Sequence, residues 1–171
     1  MVDKKKIEQL TKEFLLAIGE NPERSGLEGT PKRVSEMCEE LFSGMNNEPE
    51  NLVTKFTAPS GENNIIEVDN IPVYSLCEHH LLPFFGSAKI RYIPRNGQVL
   101  GLSKFARIVD FFARKLQVQE NLTFEIAEYL CKTLNPKGIE ITLRCTHTCM
   151  TMRGIKASES ITTTSIKRGE I

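Results

Sequence analysis

The chain begins with two stretches whose apolar residues recur at helical spacing. The first has an apolar face that breaks at Gly19, which predicts a helix. Its apolar positions are Ile7, Leu10, Phe14, Leu15 and Ile18. The second opens with Thr30 as an N-cap and Pro31 as the first helical residue, and its apolar face continues to Gly44. A helical pair is therefore predicted, followed by a polar connection over residues 46–64.

The apolar pattern then changes to short runs separated by the turn-forming residues Asp69-Asn70, Pro83 and Gly86. These runs predict strands at residues 65–68, 73–76 and 88–93. Helical spacing returns in two further segments, one beginning at Ser103 and one with its apolar face at residues 122–134. The middle of the chain is therefore predicted to place two helices after a group of strands.

Strict alternation of apolar and polar residues marks the last part of the chain. It starts at Ile139 and predicts a half-buried strand that continues through Cys149, and a Thr/Ser-rich segment at residues 158–166 predicts a last strand. This order of elements indicates an α+β fold. We expect residues 1–64 to form an N-terminal helical region with its connection, and residues 65–171 to form the region that contains the sheet.

Charge and composition exclude several classes of protein. The 171 residues include 22 Lys+Arg and 22 Asp+Glu, so no net field draws the chain to nucleic acid or to an anionic membrane. No apolar run reaches the ~18 residues that span a bilayer, and the N-terminus lacks a signal-peptide pattern. We expect a cytoplasmic protein, in which five cysteines are reduced thiols or metal ligands.

The histidines are the most informative residues. All three lie in two short segments, residues 77–80 and 145–149, together with three of the five cysteines. The six candidate ligands are Cys77, His79, His80, Cys145, His147 and Cys149. Thiolates and imidazoles are the ligands that Zn²⁺ prefers, and strand alternation puts the last three on one face.

Three interpretations of these six residues are open: coincidence, a structural zinc closed by four ligands, or a catalytic zinc with three ligands and a water. Six candidates for three or four positions leave spare imidazoles, which exchange protons near neutral pH. This surplus favours catalysis. The remaining cysteines, Cys38 and Cys131, lie on apolar helix faces and are expected in the core.

A candidate anion site lies at the start of the helix near Ser103. Lys104 and Arg107 fall in its first turns, where backbone N–H groups are free, although a solvated charged face has the same pattern. Arg153, four residues after Cys149, is a further candidate for binding phosphate.

Five segments resemble those of type I GTP cyclohydrolases and together span nearly the whole chain. They are residues 30–34, 75–86, 101–109, 116–123 and 147–154. The resemblance implies a zinc enzyme that opens the imidazole ring of GTP, releases formate and forms 7,8-dihydroneopterin triphosphate, the first step of folate and pterin biosynthesis. It implies that Cys77, His80 and Cys149 bind Zn²⁺, with water in the fourth position and Cys145 outside the ligand set.

The resemblance also implies roles for the other site residues. His147 would protonate N7 of guanine so that a zinc-activated water attacks C8, His79 would act near the ribose ring oxygen, and Ser103 would assist later proton transfers. Glu120 and Gln119 would bind the guanine edge. The triphosphate would be held by Lys104, Arg107 and Arg153, with Arg33 as a fourth candidate.

The fold implied is the tunnelling fold (T-fold), an antiparallel β-sheet with helices packed on one side, whose subunits close into an oligomeric β-barrel. The resemblance implies that residues 65–171 form this catalytic T-fold region and that the protein is a homodecamer with active sites between subunits. The chain departs from the family's pattern at Arg144 and Cys145, where an acidic and a small residue are usual.

Three rivals remain. A zinc deaminase would need a Pro-Cys-x-x-Cys pair, which this chain lacks. A related T-fold enzyme of pterin or deazapurine metabolism would keep Glu120 but lack the full two-part metal motif. A non-catalytic zinc-binding interaction module would use Cys145 as a fourth ligand.

Overall fold

Two compact units make up the chain, residues 1–47 and 48–171. The computed structural model describes residues 2–45, 49, 52–58 and 64–171. The helices are α1 (Lys4–Ala17), α2 (Thr30–Leu41), α3 (Leu102–Ala113), α4 (Gln119–Leu134) and α5 (Thr148–Thr151). The strands are β1 (Lys55–Thr57), β2 (Ile66–Cys77), β3 (Pro83–Ile93), β4 (Gln98–Leu100), β5 (Leu116–Gln117), β6 (Gly138–His147) and β7 (Thr162–Gly169). Within the described ranges, no helix is long and apolar enough to cross a bilayer.

The first unit contains the predicted helical pair. Asp3 caps α1 by accepting a hydrogen bond from the backbone N–H of Lys6 at 3.1 Å. The prediction that Thr30 is the N-cap of α2 is wrong, because Thr30 is already helical and Gly29 occupies the cap position without a side-chain hydrogen bond. Pro31 still lies in the first turn, where its missing N–H costs nothing.

A five-stranded sheet in the order β5-β2-β3-β6-β7 organises the second unit. Its pairs are antiparallel except for the short parallel pairing of β2 with β5. Alternate residues of β2, β3 and β6 are buried on one face, where α3 packs on β2 and α4 packs on β6 and β7. The α+β class and the placement of these helices on one side of the sheet are as predicted.

The two strands predicted at residues 65–68 and 73–76 are one strand. The register of β2 against β3 shifts between Val68 and Ile71, and Asn70 takes a left-handed backbone with φ of 55°. Such a shift marks a β-bulge, which bends a strand without ending it. The Asp69-Asn70 pair therefore marks a bulge, where the sequence pattern indicated a turn.

Gly86 lies inside β3, although the sequence pattern treated it as a separator. A Cβ atom at this position would stand 1.9 Å from the carbonyl oxygen of Arg144 on β6. Only glycine permits the two strands to approach so closely. Consequently β3 is continuous from Pro83 to Ile93 and pairs along its length with β6.

The strand that starts near Ile139 is shorter than predicted. It ends at His147, and the chain then forms the short helix α5, which contains Cys149. The prediction that Cys145, His147 and Cys149 share one strand face is therefore wrong for Cys149. The last strand forms later than predicted, as β7, and the pairing of β1 with β4 was not predicted. The predicted connection at residues 46–64 falls partly outside the described residues.

Candidate metal centre and adjoining histidine

Strand register brings together two motifs that are far apart in sequence. Leu76, next to the end of β2, pairs with Pro83 at the start of β3, and Phe84 pairs with His147 at the end of β6. Because neighbouring strands are antiparallel, the end of β2, the start of β3 and the end of β6 meet at the same end of the sheet. This end of the sheet holds Cys77 and His147.

The turn after β2 presents His80 beside Cys77. It is closed by hydrogen bonds from the backbone N–H of Leu81 to the Cys77 carbonyl at 2.9 Å and from the Cys77 N–H to the Leu82 carbonyl at 2.8 Å. Leu81 adopts φ of 54°, a left-handed conformation that tightens the turn. The chain therefore turns back on itself and places His80 next to Cys77.

Cys149 reaches the same point from α5. Thr148, the first residue of this helix, donates a hydrogen bond to the Pro83 carbonyl at 2.6 Å and so ties the helix to β3. The candidate ligand atoms of Cys77, His80 and Cys149 all lie within 4.8 Å of one another. Burial and the neighbouring Cys77 sulfur raise the pKa of the Cys149 thiol.

These three residues fit a metal ion by their chemistry. Two sulfurs and one imidazole nitrogen are soft and borderline donors, the set that Zn²⁺ takes at ~2.3 Å and ~2.0–2.1 Å. Ligands at those distances in a tetrahedron stand roughly 3.5–4 Å apart, so donor atoms within 4.8 Å require little movement. Three protein ligands leave a fourth position free, as in catalytic zinc sites.

His79 and Arg153 lie beside the cluster. His79 is largely exposed, with its Nδ1 3.7 Å from the Cys77 sulfur. Arg153 donates a hydrogen bond through Nη1 to Nε2 of His80 at 3.1 Å. An exposed imidazole and a guanidinium therefore adjoin the candidate metal ligands.

His147 packs against an aromatic ring and contacts a buried amide. Its ring stacks on Phe84 with centroids 4.6 Å apart and planes 9° apart, and its Nε2 lies 2.8 Å from Oε1 of Gln119. Burial lowers the pKa of His147, and the charge of Glu120 acts in the opposite direction. Sequence reasoning missed Phe84 as a partner of this ring, and only the pairing of β3 with β6 identifies it.

Gln119 and Glu120, the first residues of α4, have different surroundings. Glu120 is exposed. Gln119 is only 1% exposed, and its amide contacts groups on β6 and β7. The structure thus puts the Gln119 side chain in the protein interior, whereas the family resemblance implied a place at the guanine edge.

The candidate anion-binding residues lie on α3. Ser103 and Arg107 are exposed and Lys104 is half-buried, and Gly101 caps the helix without a side-chain hydrogen bond. In the described part of the chain, no hydrogen bond or ion pair links these residues to the cluster of Cys77, His80 and Cys149. Among the described residues of one subunit, the candidate anion site and the candidate metal site are therefore not connected by a hydrogen bond or an ion pair.

The remaining cysteines are separate from the cluster. Cys145 is 1% exposed on the core face of β6, and burial raises its pKa to about 12. Its sulfur is not among the donor atoms that lie within 4.8 Å of one another in the cluster of Cys77, His80 and Cys149. Cys145 therefore does not supply the fourth ligand that a closed, non-catalytic zinc module would require. Cys38 and Cys131, predicted to be core residues, are half-buried.

Comparison with known proteins identifies the family. The model of the family described as GTP cyclohydrolase I matches residues 7–171. The chain belongs to the GTP cyclohydrolase I family. A protein named GTP cyclohydrolase 1 from Acetivibrio thermocellus is 49% identical over 171 residues, 100% of this chain and 91% of that protein. Another with this name, from Pelotomaculum thermopropionicum, is 51% identical over 169 residues, 99% of this chain and 89% of that protein.

A solved structure confirms the fold class. The crystal structure of the archaeosine synthase QueF-Like in the apo form matches with a TM-score of 0.50 and 20% sequence identity, and covers 67% of this chain and 99% of that chain. At this identity the match shows the fold alone, which is the T-fold. The predicted family, fold and enzyme class are thus confirmed, and the chain is a GTP cyclohydrolase that acts on GTP.

Proposed function

We propose that this GTP cyclohydrolase uses a zinc ion held by Cys77, His80 and Cys149 and forms formate and 7,8-dihydroneopterin triphosphate. The observation that carries the proposal is the convergence of these three donors within 4.8 Å at the end of the sheet that also holds His147. When bound, zinc would activate a water molecule near neutral pH for attack on C8 of guanine. A site made to open a ring at that carbon needs both a nucleophile and a proton donor.

Three residues beside the ligand set would move protons and bind substrate, namely His147, His79 and Arg153. We propose that His147 exchanges a proton with N7 of guanine, because its ring is held by Phe84 and Gln119. His79, exposed and next to Cys77, would exchange protons near the ribose ring oxygen. Arg153, beside His80, would neutralise negative charge on the triphosphate.

Glu120 is proposed to recognise guanine through N1–H and the exocyclic amine, since a carboxylate accepts two hydrogen bonds. In Glu120→Gln, a donating NH₂ group would replace one of the two carboxylate oxygens that accept hydrogen bonds from guanine. For Glu120→Gln we expect KM for GTP to rise about tenfold to a hundredfold, the equivalent of losing a hydrogen bond to a charged group. Steady-state kinetics check this result.

The matched control for that variant is Glu128→Gln on the same helix. Glu128 is exposed and pairs with Arg168, so its replacement is expected to leave KM for GTP within about twofold. An unchanged KM in Glu120→Gln, or an equal rise in both variants, would refute the role of Glu120 in guanine recognition.

We propose that Ser103, Lys104 and Arg107 act in the site of a neighbouring subunit, with Ser103 in proton transfer and the two cations on the triphosphate. Among the described residues of one subunit, no hydrogen bond or ion pair joins them to the metal cluster, which supports this arrangement. Arg33, in the N-terminal unit, stays a candidate for the same anion. The cytoplasmic location also stays a prediction.

An oligomeric β-barrel is supported by the edges of the sheet. β7 pairs only with β6, and β2 pairs with β5 only at Leu76 and Cys77, so both carry unpaired backbone among the described residues. Proteins usually cover such edges, and pairing between subunits would do so.

We expect native mass spectrometry of the purified protein to find a homodecamer. Ten copies of a 19.3 kDa chain have a mass of about 193 kDa. Sedimentation velocity at several protein concentrations is the control for association caused by high concentration. A monomer that turns over GTP would contradict the proposal that active sites form between subunits.

The function is tested by incubating zinc-loaded protein with GTP and following the absorbance of the pterin product. We expect turnover with GTP and none with ATP, since adenine offers no N1–H to Glu120. A correctly assembled, zinc-loaded protein that forms no pterin would refute the proposed reaction.

A further inference from the structure

The side-chain amide of Gln119 is almost completely buried and has partners at both ends. Its Nε2 lies 3.1 Å from the carbonyl oxygen of Leu143, 3.1 Å from that of Thr162 and 3.0 Å from Oγ1 of Thr164. Its Oε1 lies 2.8 Å from Nε2 of His147. The amide therefore spans the space between β6, β7 and the histidine ring.

These partners determine the orientation of the amide. Two of the three groups at the Nε2 end are backbone carbonyls, which only accept hydrogen bonds. Exchange of the amide nitrogen and oxygen would direct an oxygen at both carbonyls and leave a buried, unpaired N–H group. The Oε1 atom must therefore face His147.

The orientation of the amide determines which nitrogen of His147 carries its proton. An amide oxygen accepts and cannot donate, so Nε2 of His147 must be the donor across the 2.8 Å contact. The neutral ring then has its lone pair on Nδ1. Stacking on Phe84 opposes rotation of the ring away from this contact.

We propose that Gln119 is a positioning residue that holds neutral His147 as the Nε2–H tautomer, so that Nδ1 is the atom that takes a proton from the attacking water and passes it to N7 of guanine. The tautomer follows from contacts within the protein, and its use in proton exchange rests on the proposed function. This role replaces direct guanine recognition by Gln119, because its amide has no free donor or acceptor end. The exposed Glu120 remains to bind guanine.

The tautomer is measured by NMR of zinc-loaded, full-length protein with ¹⁵N-labelled histidine and no GTP. The chain has three histidines, and the signals absent from His147→Asn identify those of His147. We expect a protonated Nε2 and an unprotonated Nδ1 in the wild type. In Gln119→Leu, which removes the acceptor at similar volume, the population should shift measurably toward the Nδ1–H tautomer.

A wild-type protein with the proton on Nδ1 would overturn the proposal, and so would an unchanged tautomer in folded Gln119→Leu. The wild-type measurement requires no variant, so failure of Gln119→Leu to fold leaves the test intact. It also requires no turnover. If the Nε2–H tautomer is found but GTP gives no pterin, the proposed function fails while the role of Gln119 in fixing the tautomer stands.

Kinetics separate positioning from substrate binding and from a structural role. For Gln119→Leu we expect kcat to fall about tenfold to a hundredfold, part of the about 10²–10⁴-fold that a placed acid or base contributes, with KM for GTP within about twofold. The control is Thr164→Val, which removes one partner of the Gln119 amide and leaves the His147 contact, and should retain kcat within about threefold. A rise in KM without loss of kcat, or an equal loss of kcat in both variants, would overturn the proposal.

Discussion

Replacement of Cys149 by alanine is expected to empty the metal site and to lower kcat/KM for GTP by about 10³-fold or more, which corresponds to about 4 kcal/mol of activation free energy. The variant would leave one sulfur and one imidazole, too few to hold zinc firmly. It would also remove the only contribution that α5 makes to the ligand cluster. Metal content by mass spectrometry and steady-state kinetics check the two effects.

The matched control is Cys145→Ala, since Cys145 is a cysteine of the same segment that lies outside the cluster. This variant should retain one zinc per subunit and wild-type turnover within about threefold, with a modest loss of stability from the lost sulfur. If Cys145→Ala releases zinc while Cys149→Ala retains it, the ligand assignment is wrong.

Replacement of His147 by alanine is expected to separate metal binding from chemistry. The variant should retain zinc but lose about 10²–10⁴-fold in kcat, because a placed acid or base contributes a factor of this size. KM for GTP should change much less, since the contacts proposed for guanine and the triphosphate come from other residues. Zinc content and steady-state kinetics are measured on the same preparation.

Arg144→Ala is the control for general disturbance of β6, because Arg144 is exposed on the same strand three residues before His147. It should retain both zinc and kcat. Loss of zinc from His147→Ala would show that His147 is a ligand and would contradict the assignment of Cys77, His80 and Cys149. Unchanged kcat in His147→Ala would contradict its role in proton transfer.

Local patterns predicted the parts of the site that depend on neighbours in sequence. The Cys-x-x-His spacing of Cys77 and His80 corresponds to one tight turn, and the turn brings them together as expected. The apolar faces of α3 and α4 likewise predicted which side of each helix enters the core. These features follow from spacing alone, since a helix or a turn is built from consecutive residues.

Features that depend on pairing between distant segments were not predictable in this way. Alternation indicated a strand through Cys149, but β6 ends at His147 and α5 carries the cysteine to the cluster. The stacking of Phe84 on His147 requires the register of β3 against β6. The buried position of Gln119 requires β7, which the sequence indicated only approximately. No local pattern contains this information, because each contact joins residues far apart in the chain.

We propose that the cluster of Cys77, His80 and Cys149 binds the metal that lets this enzyme release C8 of GTP as formate. The most direct test follows [8-¹³C]GTP by NMR with zinc-loaded protein and with the same protein after zinc removal. We predict one labelled formate for each GTP consumed by the loaded protein, none from the metal-free protein, and recovery when zinc is restored. Labelled formate at an equal rate from the metal-free protein, or consumption of GTP with the label retained in the pterin, would contradict the account.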